Sequence, residues 1–387
     1  MKTGQRETIL FGLLRSAVCE DSLSAKEKAL YQAESLPQLA DKAKQHDIVH
    51  LLALGLKKNG LLNEDNKSLQ NQIFQAVYRY EQLQYELDGL CEALEKAKIP
   101  FLPLKGSVLR KYYPEPWMRT SCDIDILVHS EDLEKAVSYL VENLEYSYEN
   151  KNSHDISLFS PTGMHLELHY NLVEDDLANL ASRVLESVWE KVVQHEGFEC
   201  WYDMPDELFY FYHIAHMAKH FEGGGCGIRP FIDLLILNKQ VDFDKEKRDR
   251  LLEQGGLLTF AGKAEQLSEI WFGDAEHTDI TMHMQDYILK GGVYGTSENR
   301  IAVQQQKKGG KWSYALSRIF LPYDVIKFHY PILEKHKWLL PFMQVRRWCK
   351  LIFCGHLKRA TNELKYNSTL SKDAAESAQK LLQDIGL

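Results

Sequence analysis

The N-terminal quarter of the chain carries the hydrophobic periodicity of α-helices. The clearest piece lies between residues 71 and 99, where apolar side chains recur at three- and four-residue steps. They are Ile73, Val77, Tyr80, Leu83, Leu87, Leu90 and Leu94. This spacing places them on one stripe of a helix, which is expected to end before Pro100. We therefore expect residues 1–98 to form an N-terminal helical region.

The pattern changes to short apolar runs after residue 98. "IPFLPLKG" and "CDIDILV" are typical of strands, and "DISLFSPTG" with "MHLELHY" predicts a hairpin. Two helices are expected between them. "SVLRKYY" has Ser107 near its start and ends at Pro114, and "SEDLEKAVSYLVENL" has Ser130 as a candidate N-cap. We expect residues 99–172 to form a small α/β unit with a mixed sheet.

Helical patterns return over residues 173–387, most clearly in "DDLANLASRVLESVWEKV" and "DELFYFYHIAHMAKHFE". The predicted fold class is α+β: a small mixed-sheet core flanked by N-terminal and C-terminal helical regions. Residues 335–359 contain seven Lys and Arg residues, interleaved with apolar ones, and no acid. Such a segment can lie on an anionic membrane surface or dock as an amphipathic helix on an acidic body. The docked helix is the favoured interpretation.

Composition narrows the class of protein. The chain has 387 residues and a formal net charge of −9, which argues against extensive nucleic-acid binding. Its seven cysteines have neither zinc-finger nor redox spacing, so reduced thiols in a cytoplasmic protein are expected. The first residues carry acids too early for a signal peptide. No run of about 18 apolar residues predicts a transmembrane helix.

Candidate chemistry lies on the strands. Alternate side chains of a strand share a face, so Ile124 and Ile126, with Cys122, are expected to face the core while Asp123 and Asp125 point away. On "MHLELHY", Leu166, Leu168 and Tyr170 are the expected core face, opposite His165, Glu167 and His169. A solvent-facing strand is the plain alternative for the two aspartates.

Pairing the two strands would bring three carboxylates together. Clustered carboxylates repel unless a cation lies among them, and Mg²⁺ prefers oxygen ligands and substrate phosphates. We expect Asp123, Asp125 and Glu167 to hold Mg²⁺, with Mn²⁺ as the alternative. Replacing either aspartate with asparagine is then expected to stabilise the metal-free chain. A transition-metal site built on the two histidines of "HLELH" is a weaker alternative.

The stretch "LKGS" predicts a strand that runs into a turn and a helix start, where a glycine and backbone N–H groups favour a phosphate. With "DID" downstream, the sequence resembles the nucleotidyltransferase superfamily of the DNA polymerase β type. More closely, it resembles a bacterial family described as uncharacterised nucleotidyltransferases. The residues that carry this resemblance are Lys105, Gly106, Ser107, Tyr113, Pro114, Arg119, Asp123, Asp125, Glu167 and His169. The spacer between Ser107 and Asp123 is longer than in compact members of the superfamily.

The resemblance implies roles. Asp123 and Asp125 would bind metal and, through it, the triphosphate, and Glu167 would complete the site and take the acceptor proton. Gly106 and Ser107 would hold the β- and γ-phosphates. Two cations, Lys105 and Arg119, would stabilise phosphate charge.

The acceptor is expected on the helical side. Candidate cleft residues are His169, His216, His220, Arg229 and Asp233. The alternatives are ordinary surface or core histidines and an intrahelical ion pair between Arg229 and Asp233.

The resulting hypothesis is a nucleotidyltransferase that moves NMP from an NTP such as ATP to a hydroxyl acceptor, expected to be a small molecule. One alternative is a tRNA- or protein-modifying, toxin-like enzyme. Another is a non-catalytic binding protein in surface polysaccharide assembly.

Overall fold

A computed structural model describes residues 3–19, 21–32, 35–63, 65–172, 180–353 and 357–387. The chain divides into two compact units. The first comprises Met1–Met217 and Ile228–Met282, and the second comprises Ala218–Gly227 and His283–Leu387.

The first unit begins with five helices. They are α1 (Thr3–Val18), α2 (Ala25–Leu30), α3 (Leu36–Gln45), α4 (Val49–Lys58) and α5 (Lys67–Lys96). Helix α5 follows the predicted stripe, since Leu83, Leu87, Leu90 and Leu94 are buried. It ends four residues before Pro100, as expected.

A five-stranded sheet follows, with two short helices in its connections. Its strands are β1 (Phe101–Pro103), β2 (Asp123–Val128), β3 (Ser147–Lys151), β4 (Asp155–Phe159) and β5 (His165–His169), and the helices are α6 (Gly106–Leu109) and α7 (Leu133–Leu144). The strand order is β1-β2-β5-β4-β3. Strands β2 and β5 run parallel, and the other neighbours run antiparallel. The predicted small mixed sheet is confirmed.

One face of the sheet forms the core of this region. Ile124, Ile126, Leu166 and Leu168 pack in one buried cluster with leucines of α5. The sequence placed Cys122 on this face, but it is exposed because β2 begins one residue later, at Asp123.

Two further helix predictions need correction. Ser130 is not the N-cap of α7, because a turn closes from Asp132 N–H to the His129 carbonyl and the helix starts at Leu133 with Asp132 as its N-cap. The helix predicted from "DDLANLASRVLESVWEKV" is described only from Leu180. It ends at Glu186, and Val188–Glu190 forms a 3-10 turn. Residues 173–179 of that prediction lie outside the described residues.

The remaining elements are mainly helical. In chain order they are α8 (Leu180–Glu186), β6 (Val193–Gln194), β7 (Tyr202–Asp203), α9 (Asp206–Glu222), α10 (Arg229–Gln240), α11 (Lys245–Gln254), α12 (Leu258–Phe272), α13 (Asp279–Lys290), α14 (Ser297–Lys307), α15 (Lys311–Ile319), α16 (Tyr323–His329), α17 (Ile332–Lys335), α18 (Leu340–Phe353), α19 (Leu357–Thr369) and α20 (Lys372–Asp384). Further 3-10 turns are Arg110–Tyr112, Pro116–Met118 and Lys337–Leu339.

The cysteines and the helix lengths bear on two expectations from composition. The described cysteines are free thiols: Cys19, Cys91, Cys122, Cys200, Cys226 and Cys349. Across the same part of the chain, every helix falls short of the length and apolar character that crossing a bilayer requires.

Candidate active site

Strand register brings the predicted carboxylates together. Asp123 lies opposite His165, and Asp125 lies opposite Glu167 on the parallel neighbour. Because directly paired residues of neighbouring strands point to the same side, these side chains share one face of the sheet. Ligand atoms of Asp123, His165 and Glu167 lie within 4.8 Å of one another. The same holds for Asp125, Glu167 and His169, so Glu167 belongs to both groups.

Asp125 is the most enclosed carboxylate of the cluster. Its Oδ1 lies 2.7 Å from Lys105 Nζ and 3.0 Å from His169 Nε2. Burial on its own would raise the pKa of Asp125, but the charge of Lys105 and the hydrogen bond of His169 outweigh burial and hold it well below its usual range. The pKa of His169 is raised. Its burial opposes this shift, but hydrogen bonds to Asp125 and Glu167 prevail.

Lys105 reaches this position from the loop between β1 and α6. The Leu104 N–H donates to the Asp125 carbonyl at 3.0 Å, which places the next residue beside the aspartate. Lys105 has φ +46°, a left-handed conformation that lysine rarely adopts. Its Nζ also lies 3.7 Å from Glu167 Oε2. Burial disfavours the ammonium, yet the charge of Asp125 overcomes this and raises the pKa of Lys105. A strained backbone residue thus holds a cation at the carboxylates.

The pKa values of the other two carboxylates, Asp123 and Glu167, are shifted in opposite directions. Burial, followed by the charges of Asp125 and Glu167, raises the pKa of Asp123. A hydrogen bond from His169 is the largest influence on Glu167 and lowers its pKa. Both are partly exposed. Within the metal-free cluster, Asp123 is therefore the group whose negative charge is least compensated.

The predicted phosphate turn packs beside the start of β2. A Cβ atom on Gly106 would lie 3.2 Å from Ser121 Cβ and 3.7 Å from Arg119 Nη1, so the site is tight for any larger residue. Ser121 in turn donates its hydroxyl to the Asp123 carbonyl. The Ser107 hydroxyl is buried without a hydrogen-bond partner among the described residues. A buried hydroxyl without a hydrogen-bond partner is unusual in a folded protein.

Arg119 connects this region to the helical part of the unit. Its Nε donates to Asp233 Oδ1 at 2.7 Å, and its Nη1 donates to the Thr120 carbonyl. Tyr113 donates its hydroxyl to the same Asp233 oxygen at 2.6 Å. Asp233 is completely buried, so it is enclosed by these partners rather than open to an acceptor.

The other predicted acceptor residues lie in different surroundings. Arg229 donates from Nη1 to the Thr120 carbonyl at 2.8 Å and to Asp47 at 3.2 Å. The ring of His216 lies 6.4 Å from that of Tyr212 on the previous turn of α9. His220 belongs to the second unit, where its ring lies 6.3 Å from Tyr294.

Some neighbours of the site were missed by sequence reasoning. Tyr212 is buried, which raises its pKa, and it interacts electrostatically with Lys105 and Asp125. In the sequence it is one of several aromatics in "LFYFY", and nothing separates it from a core residue. Arg110 is buried and donates to the Ser121 hydroxyl, while its Nη1 is unpartnered among the described residues.

A family model described as uncharacterised nucleotidyltransferase matches residues 32–273. No curated protein matches the chain. Among solved structures, the chain is similar to the CCA-adding enzyme of Thermotoga maritima complexed with tRNA. The identity is 12%, the match covers 80% of this chain and 84% of that chain, and the TM-score is 0.22. At that TM-score we draw nothing from the similarity. The family model, by contrast, covers more than half of the sequence, and this chain belongs to the uncharacterised nucleotidyltransferase family.

Proposed function

We propose that the protein transfers a nucleoside monophosphate from a nucleoside triphosphate, such as ATP, to a hydroxyl group of a small molecule. The observation that carries this proposal is the pair of ligand groups that share Glu167. They place three carboxylates and two imidazoles on one sheet face, beside a tight glycine–serine turn.

The residues fit a divalent cation by the chemistry of their donors. Carboxylate oxygens suit Mg²⁺ and Mn²⁺, and Asp123 and Glu167 are exposed enough to meet one. The raised pKa of Asp123 is the mark of an uncompensated carboxylate, which a cation would relieve. We propose that Asp123, Asp125 and Glu167 hold Mg²⁺ or Mn²⁺. When bound, such an ion would polarise the phosphates and lower the pKa of the acceptor hydroxyl.

The chain's own residues supply the remaining chemistry. The acceptor oxygen forms a bond to the α-phosphorus, the bond from that phosphorus to the bridging oxygen breaks, and pyrophosphate leaves. The acceptor proton passes to a carboxylate. Glu167 is proposed for this role because it is partly exposed and belongs to both ligand groups of the site.

The triphosphate is proposed to lie against the turn that precedes α6. The unpartnered Ser107 hydroxyl would donate to it, and Gly106 lets this turn pack closely against Ser121 beside the carboxylates. Lys105 and the Nη1 of Arg119 would supply positive charge. Arg119 also has a positioning role, because its Nε is held by Asp233.

The acceptor is proposed to approach from the side of α9. Of the predicted acceptor residues, His169 and His216 have a described connection to the carboxylates, the first directly and the second through Tyr212. The formal net charge of −9 supports a small acceptor over a nucleic acid. The free thiols support a cytoplasmic location.

The test compares Asp123→Asn and Glu167→Gln with the control Glu149→Gln, an exposed residue of β3. Mn²⁺ binding is measured by paramagnetic resonance, and label transfer from α-labelled NTPs is measured with a metabolite extract as acceptor source. Loss of a metal ligand should lower transfer at least about 100-fold, because the ion supplies several kcal/mol. The control should match the unmutated protein. Metal binding and transfer that survive in both site variants would exclude this assignment.

A further inference from the structure

The second unit exposes an apolar surface that is interleaved with cations. We infer that this surface, formed by α15 and α18 with the segment between them, binds anionic lipid membranes peripherally. The argument is independent of the proposed function.

Among the described residues, the hydrogen bonds from side chains of α18 to the segment before it come from one side of the helix. Gln344 donates its amide to the Leu321 carbonyl, Arg347 donates to the carbonyls of Arg318 and Ile319, and Trp348 donates its indole N–H to Ile319. Since residues three and four apart share a helix face, these three define the inner face of α18.

The opposite side of α18 is apolar and exposed. Phe342, Val345, Ile352 and Phe353 are all exposed, Phe353 by 84%. At about 100° per residue they fall within an arc of about 100°. Cys349 lies in the same arc and is exposed too. Helix α18 therefore docks through its inner face and leaves this apolar stripe exposed.

Helix α15 repeats the arrangement. Tyr314 is buried, whereas Trp312, Leu316 and Ile319 are exposed on the other side, Trp312 by 83%. Phe320 follows at the end of the helix, also exposed, and its ring contacts Trp348 of α18 edge-on at 5.3 Å. This contact packs the end of α15 against α18. In the segment that connects α15 to α18, Ile332 and Trp338 add exposed apolar area.

Positive charges outnumber negative ones beside this surface. Residues 311–353 carry eight Lys and Arg residues against two acids, in a chain whose formal net charge is −9. Arg346 and Lys350 are exposed next to the apolar arc of α18. Cations at the edge of an apolar stripe can reach headgroup phosphates while the stripe enters the acyl boundary.

An anionic lipid surface fits these observations better than a nucleic acid does. Single-stranded nucleic acids use aromatic side chains for stacking, but four exposed residues of this surface are aliphatic: Leu316, Ile319, Val345 and Ile352. Tryptophan, with an apolar ring and a polar N–H, suits the interface of a bilayer.

The experiment is co-sedimentation of the full chain with phosphatidylcholine vesicles, with and without phosphatidylglycerol. We expect binding to the anionic vesicles only. Arg346→Gln combined with Lys350→Gln should weaken the partition coefficient about 30-fold, since each cation near the surface contributes about one decade or slightly less. Phe342→Ser combined with Phe353→Ser should weaken it at least about 10-fold.

A matched control is available on α5, where Phe74 and Tyr85 are exposed aromatics of the first unit. Phe74→Ser combined with Tyr85→Ser should leave vesicle binding unchanged. Circular dichroism verifies that each variant is folded. In the unmutated chain, quenching of tryptophan fluorescence by brominated anionic lipid gives a second measurement that needs no variant.

Several outcomes would overturn the inference. They are absence of both sedimentation and quenching, equal binding to uncharged vesicles, equal loss in the control, and a dimer that the apolar variant dissociates while vesicles never bind. Binding of a labelled oligonucleotide in place of vesicles, lost in the charge variant, would equally refute it.

Discussion

Asp123 and Asp125 are two residues apart on one face of β2, yet asparagine should act on them in opposite directions. Asp125 is buried between Lys105 and His169, whereas Asp123 has a pKa raised by burial and by two neighbouring carboxylates. In the metal-free protein, Asp125→Asn should destabilise and Asp123→Asn should stabilise. The expectation from sequence, that both substitutions stabilise, left out the cation that already neutralises Asp125.

The magnitudes follow from the contacts. Removing one partner of a buried ion pair costs about 3–5 kcal/mol. The low end applies to Asp125, because Lys105 is one-quarter exposed and asparagine retains an acceptor oxygen. With about 2 °C per kcal/mol for a unit of this size, the melting temperature should fall by about 6 °C. Relief of like-charge repulsion at Asp123 should contribute up to about 1 kcal/mol, a rise of about 2 °C.

The assay is thermal unfolding followed by circular dichroism in a chelator. Asp274→Asn, at an exposed position, is the control and should change the stability by less than about 0.5 kcal/mol. Shifts of the same sign for Asp123→Asn and Asp125→Asn, or a more stable Asp125 variant, would refute the ion-pair assignment.

Two further predictions concern buried groups near the site. Asp233→Asn should lower the free energy of unfolding by about 3–5 kcal/mol, because it leaves the guanidinium of Arg119 without its counter-charge. Tyr113→Phe should lower it by only about 1 kcal/mol. Denaturant titration measures both values, and equal effects would contradict the prediction. His50 is buried with Nε2 2.9 Å from the Met118 carbonyl, and burial lowers its pKa to about 4. As pH falls below about 6.5, His50 is protonated in the unfolded chain before it is protonated in the folded chain. The free energy of unfolding should therefore fall by about 2 kcal/mol between pH 7.5 and pH 5. Unfolding of His50→Gln over that range should show a shallower pH slope, and an unchanged slope would contradict it.

The face of each carboxylate could be read from sequence because a strand has a period of two. Ile124 and Leu166 alternate with Asp123 and Glu167, and burial of the apolar set fixes the direction of the acidic set. The sequence could likewise predict the buried stripe of α5. These are local patterns, and each was specified by consecutive residues.

The partners of the carboxylates could not be read in the same way. The ion pair between Lys105 and Asp125 depends on the register of β1 against β2 and on a left-handed φ at a lysine, which sequence preferences disfavour. Whether the stripe of α18 is covered depends on contacts made elsewhere, and amphipathicity is equally compatible with both states. Such features are decided by tertiary packing.

The buried arginine shows why the α/β core is an incomplete description of the site. Arg119 lies in the loop that leads into β2, but its counter-charge, Asp233, is 114 residues away on α10. Arg229, at the start of the same helix, donates to the carbonyl of Thr120, next to Arg119. A buried guanidinium needs a paired carboxylate, so α10 holds this loop beside the carboxylates. The family match extends to residue 273, past α10. Residues 99–172 alone would therefore leave Arg119 without its compensating charge, and the conformation of the loop that precedes Asp123 is determined together with the helices that follow the sheet.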